Sequence, residues 1–181
     1  MPTFLRDAAI PLDALARTSL HYPDQRSQLI EHVLSGTDWL IILRIPVVFS
    51  LFPIDPALKP KEKVGHIVAR MIKKNPAMVV NDWIPSDFGD VGLQFDNGLC
   101  GRTLISVWEP TKEPRYLAAA RKSGDWAMQC PLVLNWNYNG FSVRFLARLA
   151  TSTGDGKYPE IAIKKSGTWR ATWSNAKWTT V

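Results

Sequence analysis

The sequence predicts an all-α fold of stacked α/α hairpins, and two observations carry that prediction. The first is an internal repeat. Asn97-Gly98 recurs as Asn139-Gly140, and at the same offset of 42 residues Arg102 meets Arg144, Leu104 meets Leu146, Thr111 meets Thr153, Tyr116 meets Tyr158, Ala120 meets Ala162 and Lys122 meets Lys164. Charge carries over too, from Glu113 to Asp155 and from Arg115 to Lys157. One inserted residue later, Ser123-Gly124-Asp125-Trp126 faces Ser166-Gly167-Thr168-Trp169. A period of about 40 residues with shared punctuation marks one supersecondary unit used twice. The second observation is that a turn signal divides each copy into two stretches of helical character.

The elements follow in order. Asp24–Leu43 reads as a helix with Leu29, Ile30, Val33 and Leu34 inward, and its end, Gly36-Thr37-Asp38-Trp39, echoes Gly124-Asp125-Trp126. It suits the second helix of an earlier hairpin. Trp39–Phe52 is the most apolar stretch, but it is too short for a bilayer and is interrupted by Arg44 and Pro46; it reads as a buried helix end and an extended segment. Pro60–Lys74 reads as a helix bounded by Pro56 and Asn75-Pro76. A long loop is expected from Val79 to Asn97. In the first repeat, Leu99–Trp108 forms one helix, Pro110–Pro114 breaks it, and Tyr116–Met128 resumes with three consecutive alanines, strong helix formers. In the second, Phe141–Ala150 and Tyr158–Lys165 flank Thr153-Gly154-Asp155-Gly156, where glycine supplies left-handed turn positions. Tyr116 and Tyr158 are expected to pack across their hairpins. The tail from Ser166 to Val181 lacks helical periodicity and reads as an edge strand or an irregular end. One domain spans 1–181, with clear repeats at 97–126 and 139–169 and an irregular tail at 170–181.

The chain has 181 residues, 46% hydrophobic and 21% charged, within the range of globular proteins and outside that of disordered ones. Its net charge of +6 is scattered, and its densest basic group, from Lys59 to Lys74, reads as a solvated helix face rather than a nucleic-acid footprint. The two cysteines, Cys100 and Cys130, form no CxxC pair and read as free thiols. Three histidines at these spacings supply no metal site, so neither metal nor cofactor is expected. Arg6, Asp7 and Asp13 disqualify the N-terminus as a signal peptide. A cytoplasmic protein without membrane or nucleic-acid partners is the expectation.

Phe95-Asp96-Asn97-Gly98, Thr111-Lys112-Glu113-Pro114-Arg115-Tyr116-Leu117-Ala118-Ala119-Ala120 and Asp125-Trp126 resemble the repeat of six-hairpin (α/α)6-toroid enzymes, among them unsaturated glucuronyl hydrolases and several polysaccharide lyases. Asn135-Trp136-Asn137-Tyr138-Asn139-Gly140 followed by Thr153-Gly154-Asp155 looks like the next hairpin. The resemblance covers residues 79–169 and implies part of an (α/α)-toroid. It also implies carbohydrate activity: a glycoside hydrolase, or else a polysaccharide lyase, acting on polysaccharide or oligosaccharide, and the net positive charge would suit an acidic one. The alternatives are a non-catalytic α/α-repeat module binding glycan or protein, and an inactive toroid fragment. A second copy could cover the open end of the helix stack.

In a toroid the loops entering the inner helices line one mouth, which here means Asn81–Gly98 and Pro131–Gly140. Glycoside hydrolysis needs a proton donor and a second carboxylate at a fixed separation. Asp96, Asp82 and Asp87 are the catalytic candidates, although Asp96 equally suits a cap on a helix beginning near Gly98, and Asp87 and Asp90 flank Gly89 as a turn would. Substrate would meet Trp83, Trp136 and Tyr138 as flat stacking faces and Asn137 as an amide for hydroxyls. Tyr138, Asn137 and Arg144 also fit elimination chemistry, with the arginine on a uronate carboxylate. Arg102 and Arg144 stand at equivalent repeat positions, which suits scaffold as well.

Overall fold

The computed structural model describes residues 5–43, 51–53, 66, 69–70, 72–73, 83–85, 93–133 and 136–175. Six long helices account for most of them: α1 (Leu5–Thr18), α2 (Arg26–Leu43), α3 (Leu93–Thr111), α4 (Pro114–Gln129), α5 (Trp136–Thr153) and α6 (Lys157–Asn175). A short 3-10 turn, Pro23–Gln25, leads into α2. Two three-residue strands, β1 (Leu51–Pro53) and β2 (Trp83–Pro85), pair antiparallel with Phe52 opposite Ile84. The fold is all-α, with this ladder as its one extended feature among the described residues.

The helices form three hairpins, α1/α2, α3/α4 and α5/α6, in two layers. The layer of α1, α3 and α5 is continuous, because α3 packs against α1 on one side and α5 on the other. The three run parallel. Ala9 and Asp13 of α1 meet Thr103 and Ser106 of α3 in rising order, and Gly98 and Gly101 of α3 meet Phe141 and Phe145 of α5 likewise. Helices α2, α4 and α6 form the second layer, each returning antiparallel to its partner.

The turns show why the repeat is visible in the sequence. Lys112 (φ 57°) and Gly154 (φ 68°) occupy the left-handed position after α3 and α5, the usual way a helix releases its last carbonyls. Thr111 Oγ1 donates to Val107 O and accepts from Glu113 N; 42 residues on, Thr153 Oγ1 donates to Leu149 O and accepts from Asp155 N. Pro114 then starts α4 at the position where a missing N–H costs nothing.

Each hairpin is pinned to the preceding one by a tyrosine. The Tyr116 hydroxyl donates to Asp38 Oδ1 of α2 at 2.9 Å, and the Tyr158 hydroxyl to Asp125 Oδ1 of α4 at 3.2 Å. Arg115 and Lys157, one residue earlier, form ion pairs with the same carboxylates at 3.1 and 2.9 Å. These tyrosines therefore reach the neighbouring hairpin, beyond the packing across their own hairpin that the sequence implied. Both rings lie in the main core with Leu104, Ile105, Phe145, Leu146 and Leu149.

Four sequence expectations change. Helix α1, unrecognised because Pro11 and Asp13 interrupt its apolar stripe, buries Ala9, Leu12 and Ala16 at helical spacing. Helix α3 starts at Leu93, inside the expected loop, and α5 starts at Trp136. Helix α6 runs on to Asn175, so residues 166–175 are helical rather than strand or irregular tail. Of the expected helix from Pro60 to Lys74, residues 66, 69–70 and 72–73 are helical and the rest lie outside the described residues. The described residues supply three of the six hairpins that a toroid requires.

Candidate functional site

The residues singled out from the sequence divide between two places. Asp96 lies in the first turn of α3, 3% exposed, so it is neither a loop residue nor a cap on a helix beginning at Gly98. Tyr138 and Asn137 lie in the first turn of α5, not in a loop; Asn137 is exposed and Tyr138 half-buried. The helix ends are brought together by Phe95, whose ring stands 6.0 Å from Tyr138 and 4.5 Å from Phe141. Trp136 is the first residue of α5, and Trp83 begins β2 opposite Pro53. Asp82, Asp87 and Asp90 lie outside the described residues.

The amides at this end hold backbone. Asn139 donates to Val133 O at 2.6 Å and accepts from Val133 N, Gln94 donates to Pro131 O at 2.8 Å, and Asn97 donates to Ser123 O at 3.1 Å. Lys165 of α6, 6% exposed, donates to Ala127 O and Cys130 O and closes the C-terminus of α4. Burial pushes its pKa below the usual lysine value. Cys100 and Cys130 are free thiols, and burial raises the Cys130 pKa to about 11.

Arg144 stands elsewhere, in a cleft that the sequence reading did not assemble. Each helix of the α1, α3 and α5 layer contributes polar residues at helical spacing. Helix α1 supplies Asp13 and Arg17 and then, just beyond its end, Leu20 and His21. Helix α3 supplies Arg102, Ser106 and Glu109, and α5 supplies Arg144 and Arg148. The resulting cavity, of about 430 Å³, is lined by Arg17, Leu20, His21, Arg102, Glu109, Arg144 and Arg148. That volume falls within the range of small-ligand pockets, about 300–1,000 Å³.

Beneath the cleft lies a charge network joining all three helices. Asp13, 5% exposed, accepts from Arg102 Nη2 at 2.8 Å and from the Ser106 hydroxyl, and lies 3.6 Å from Arg148. Arg148 Nη2 donates to Glu109 Oε2 at 2.7 Å. Two carboxylates thus face four arginines. Arg17 and Arg144 are exposed, and among the described residues no carboxylate lies within ion-pair distance of either. Positive charge is in excess, with four arginines against Glu109 in the lining and Asp13 beneath it, a balance that favours anions over cations. Planar guanidinium forks suit carboxylate or phosphate groups in particular. Asp13 and Glu109 are both engaged by guanidinium groups, an arrangement made for holding charge. It supplies no free carboxyl pair to flank a glycosidic bond.

One sequence signal pointed here: the equivalence of Arg102 and Arg144 in the repeat. Both line the cleft, and Arg102 also ties the scaffold to Asp13. The contribution of α1 was invisible, because Asp13 meets Arg102 across 89 residues of sequence.

Fold and cleft together define the class: an α/α-hairpin protein with an arginine-lined cleft across the layer of α1, α3 and α5. Comparison of the chain with protein-family models, curated proteins and solved structures finds no match. Among the described residues no helix is long and apolar enough to cross a membrane.

Proposed function

We propose that this chain binds acidic saccharides in the arginine cleft, as a non-catalytic α/α-hairpin module. The observation that carries this reading is the excess of guanidinium groups: four arginines from three helices surround one cavity, and two of them face no carboxylate among the described residues. The resemblance of residues 79–169 to toroid enzymes that act on uronates supports a sugar acid as the anion. Leu20, 46% exposed, adds an apolar surface for the face of a sugar ring. The test is titration calorimetry at low salt with trigalacturonate and with a neutral trisaccharide. Binding of the acidic sugar alone, weakened by added salt, is the expected result. Equal affinity for both sugars, or none for either, would overturn the reading.

A second reading, hydrolysis of the same saccharides at the N-terminal ends of α3 and α5, is favoured by one contact. Phe95, adjacent to Asp96, packs on Tyr138. It predicts release of reducing ends that disappears in Asp96→Asn. Folded protein that binds acidic sugar and releases none would leave the binding module standing.

A further inference from the structure

We infer that His21 makes anion binding in the arginine cleft proton-linked, so that the cleft holds an anion more tightly as pH falls from about 7.5 to about 5.5, the range in which histidines take up a proton. This rests on the cleft taking an anion and adds the regulation of that site; it does not depend on the anion being a sugar acid. His21 lines the cavity together with Arg17, Arg102, Glu109, Arg144 and Arg148. The arginines stay charged at every pH in that range. Histidine is the residue type whose charge ordinarily changes there.

The backbone fixes His21 at this place. The chain leaves α1 through a tightened turn, in which the His21 amide donates to Thr18 O at 2.9 Å and the Tyr22 amide to the same oxygen at 3.2 Å. His21 therefore follows Arg17 by four residues around the end of α1, close to the spacing that sets two side chains on one side of a helix. The charged groups around it come from every neighbouring element. They are Arg17 of α1, Arg102 and Glu109 of α3, and Arg144 and Arg148 of α5, and along the chain Asp24 in the 3-10 turn and Arg26 at the start of α2. Glu109 is already held by Arg148 at 2.7 Å, and the Arg26 guanidinium donates to Pro110 O at 2.9 Å. A protonated imidazole in this company adds to positive charge in excess. Protonation of His21 thus works against the arginines until an anion is seated among them, and then supplies one more charge-assisted donor to it. Such coupling is reciprocal: the proton tightens the anion and the anion tightens the proton.

The experiment is a titration of the whole chain with sodium sulfate in low-salt buffer at about pH 5.5 and about pH 7.5, repeated with His21→Gln. Sodium chloride at matched ionic strength is the control, and the readout is NMR amide shifts along α1 and α5. Sulfate keeps its double charge across this range, whereas phosphate groups take up a proton within it. His21 is exposed, so His21→Gln should keep the wild-type helical circular dichroism. Sulfate affinity in the wild type is expected to be about two- to fivefold higher at the lower pH, the scale of one exposed ion pair. His21→Gln should bind equally at both pH values, at the weaker wild-type level. Equal wild-type affinity at the two pH values would overturn the inference, as would a pH dependence that survives His21→Gln. Either result would leave the anion-binding cleft intact. Shifts no larger with sulfate than with chloride at both pH values would instead remove the anion-binding reading beneath it.

Discussion

At the scale of single residues, buried polar groups tie one hairpin to the next. Asp13 is the clearest case. It accepts from Arg102 and Ser106 while lying almost wholly out of solvent. Removing one partner of a buried charge network leaves the others uncompensated, which costs about 3–5 kcal/mol. Asp13→Ala should therefore lower the free energy of unfolding by that amount in urea, whereas Arg17→Ala, at an exposed side chain, should change it little. The tyrosine pins give a pH signature. Burial, followed by the hydrogen bond to Asp38, pushes the Tyr116 pKa well above its ordinary value of 10.0; burial and then the charge of Asp125 raise that of Tyr158. A raised folded-state pKa means that the folded chain holds protons the unfolded chain releases. The stability from these pins is complete below pH 10 and is lost as pH rises further. Tyr116→Phe with Tyr158→Phe should flatten that alkaline decline in thermal melts, while lowering stability at pH 7 by about 1–2 kcal/mol for each bond. Lys165 has the opposite sign. Its lowered pKa makes its contribution improve as pH climbs toward 10.5.

At the scale of elements, close packing of α3 on α5 depends on missing side chains. A Cβ at Gly101 would stand 2.3 Å from the Phe145 ring, and one at Gly98 would stand 2.8 Å from the Phe141 backbone. Gly101→Ala should destabilise the chain by about 1–3 kcal/mol, the usual range for overpacking, read as a lower urea midpoint at unchanged slope. The repeat, the turns and the helical character of α4 and α5 were legible because they rest on local signals: Pro114, the left-handed position at Lys112 and Gly154, and the alanines. Helix α3 was only half legible. It is surrounded by α1, α4 and α5, and its buried first turn carries Gln94, Asp96 and Asn97, so apolar periodicity detects nothing before Leu99. Helix α1 hid behind Pro11 and Asp13. The last turns of α6 hid behind a run of Ser, Gly, Thr, Arg and Asn in which Trp169, Ala171 and Trp173 are the apolar residues.

At the scale of the whole molecule, the stacking of the three parallel helices α1, α3 and α5 makes the cleft. No one hairpin contains it, since Arg17, Arg102 and Arg144 belong to three different ones. The sequence could show that Arg102 and Arg144 are equivalent. It could not show that equivalent residues on adjacent parallel helices would line one cavity, or that Asp13 would draw Arg102 and Arg148 into pairs and leave Arg17 and Arg144 exposed. The described candidates from those loops, Asp96, Asn137 and Tyr138, lie in the first turns of α3 and α5, while the cleft lies farther along, reaching the C-terminal end of α1. Location therefore separates the two functional readings. The most direct measurement is an NMR titration that follows arginine side-chain Nε–Hε signals and the amides of Asn137 and Tyr138 as trigalacturonate is added. The expected result is saturable shifts at Arg17 and Arg144, with Asn137 and Tyr138 unmoved. Shifts at Asn137 and Tyr138 with still arginine signals would place the saccharide at the helix N-termini and contradict the cleft.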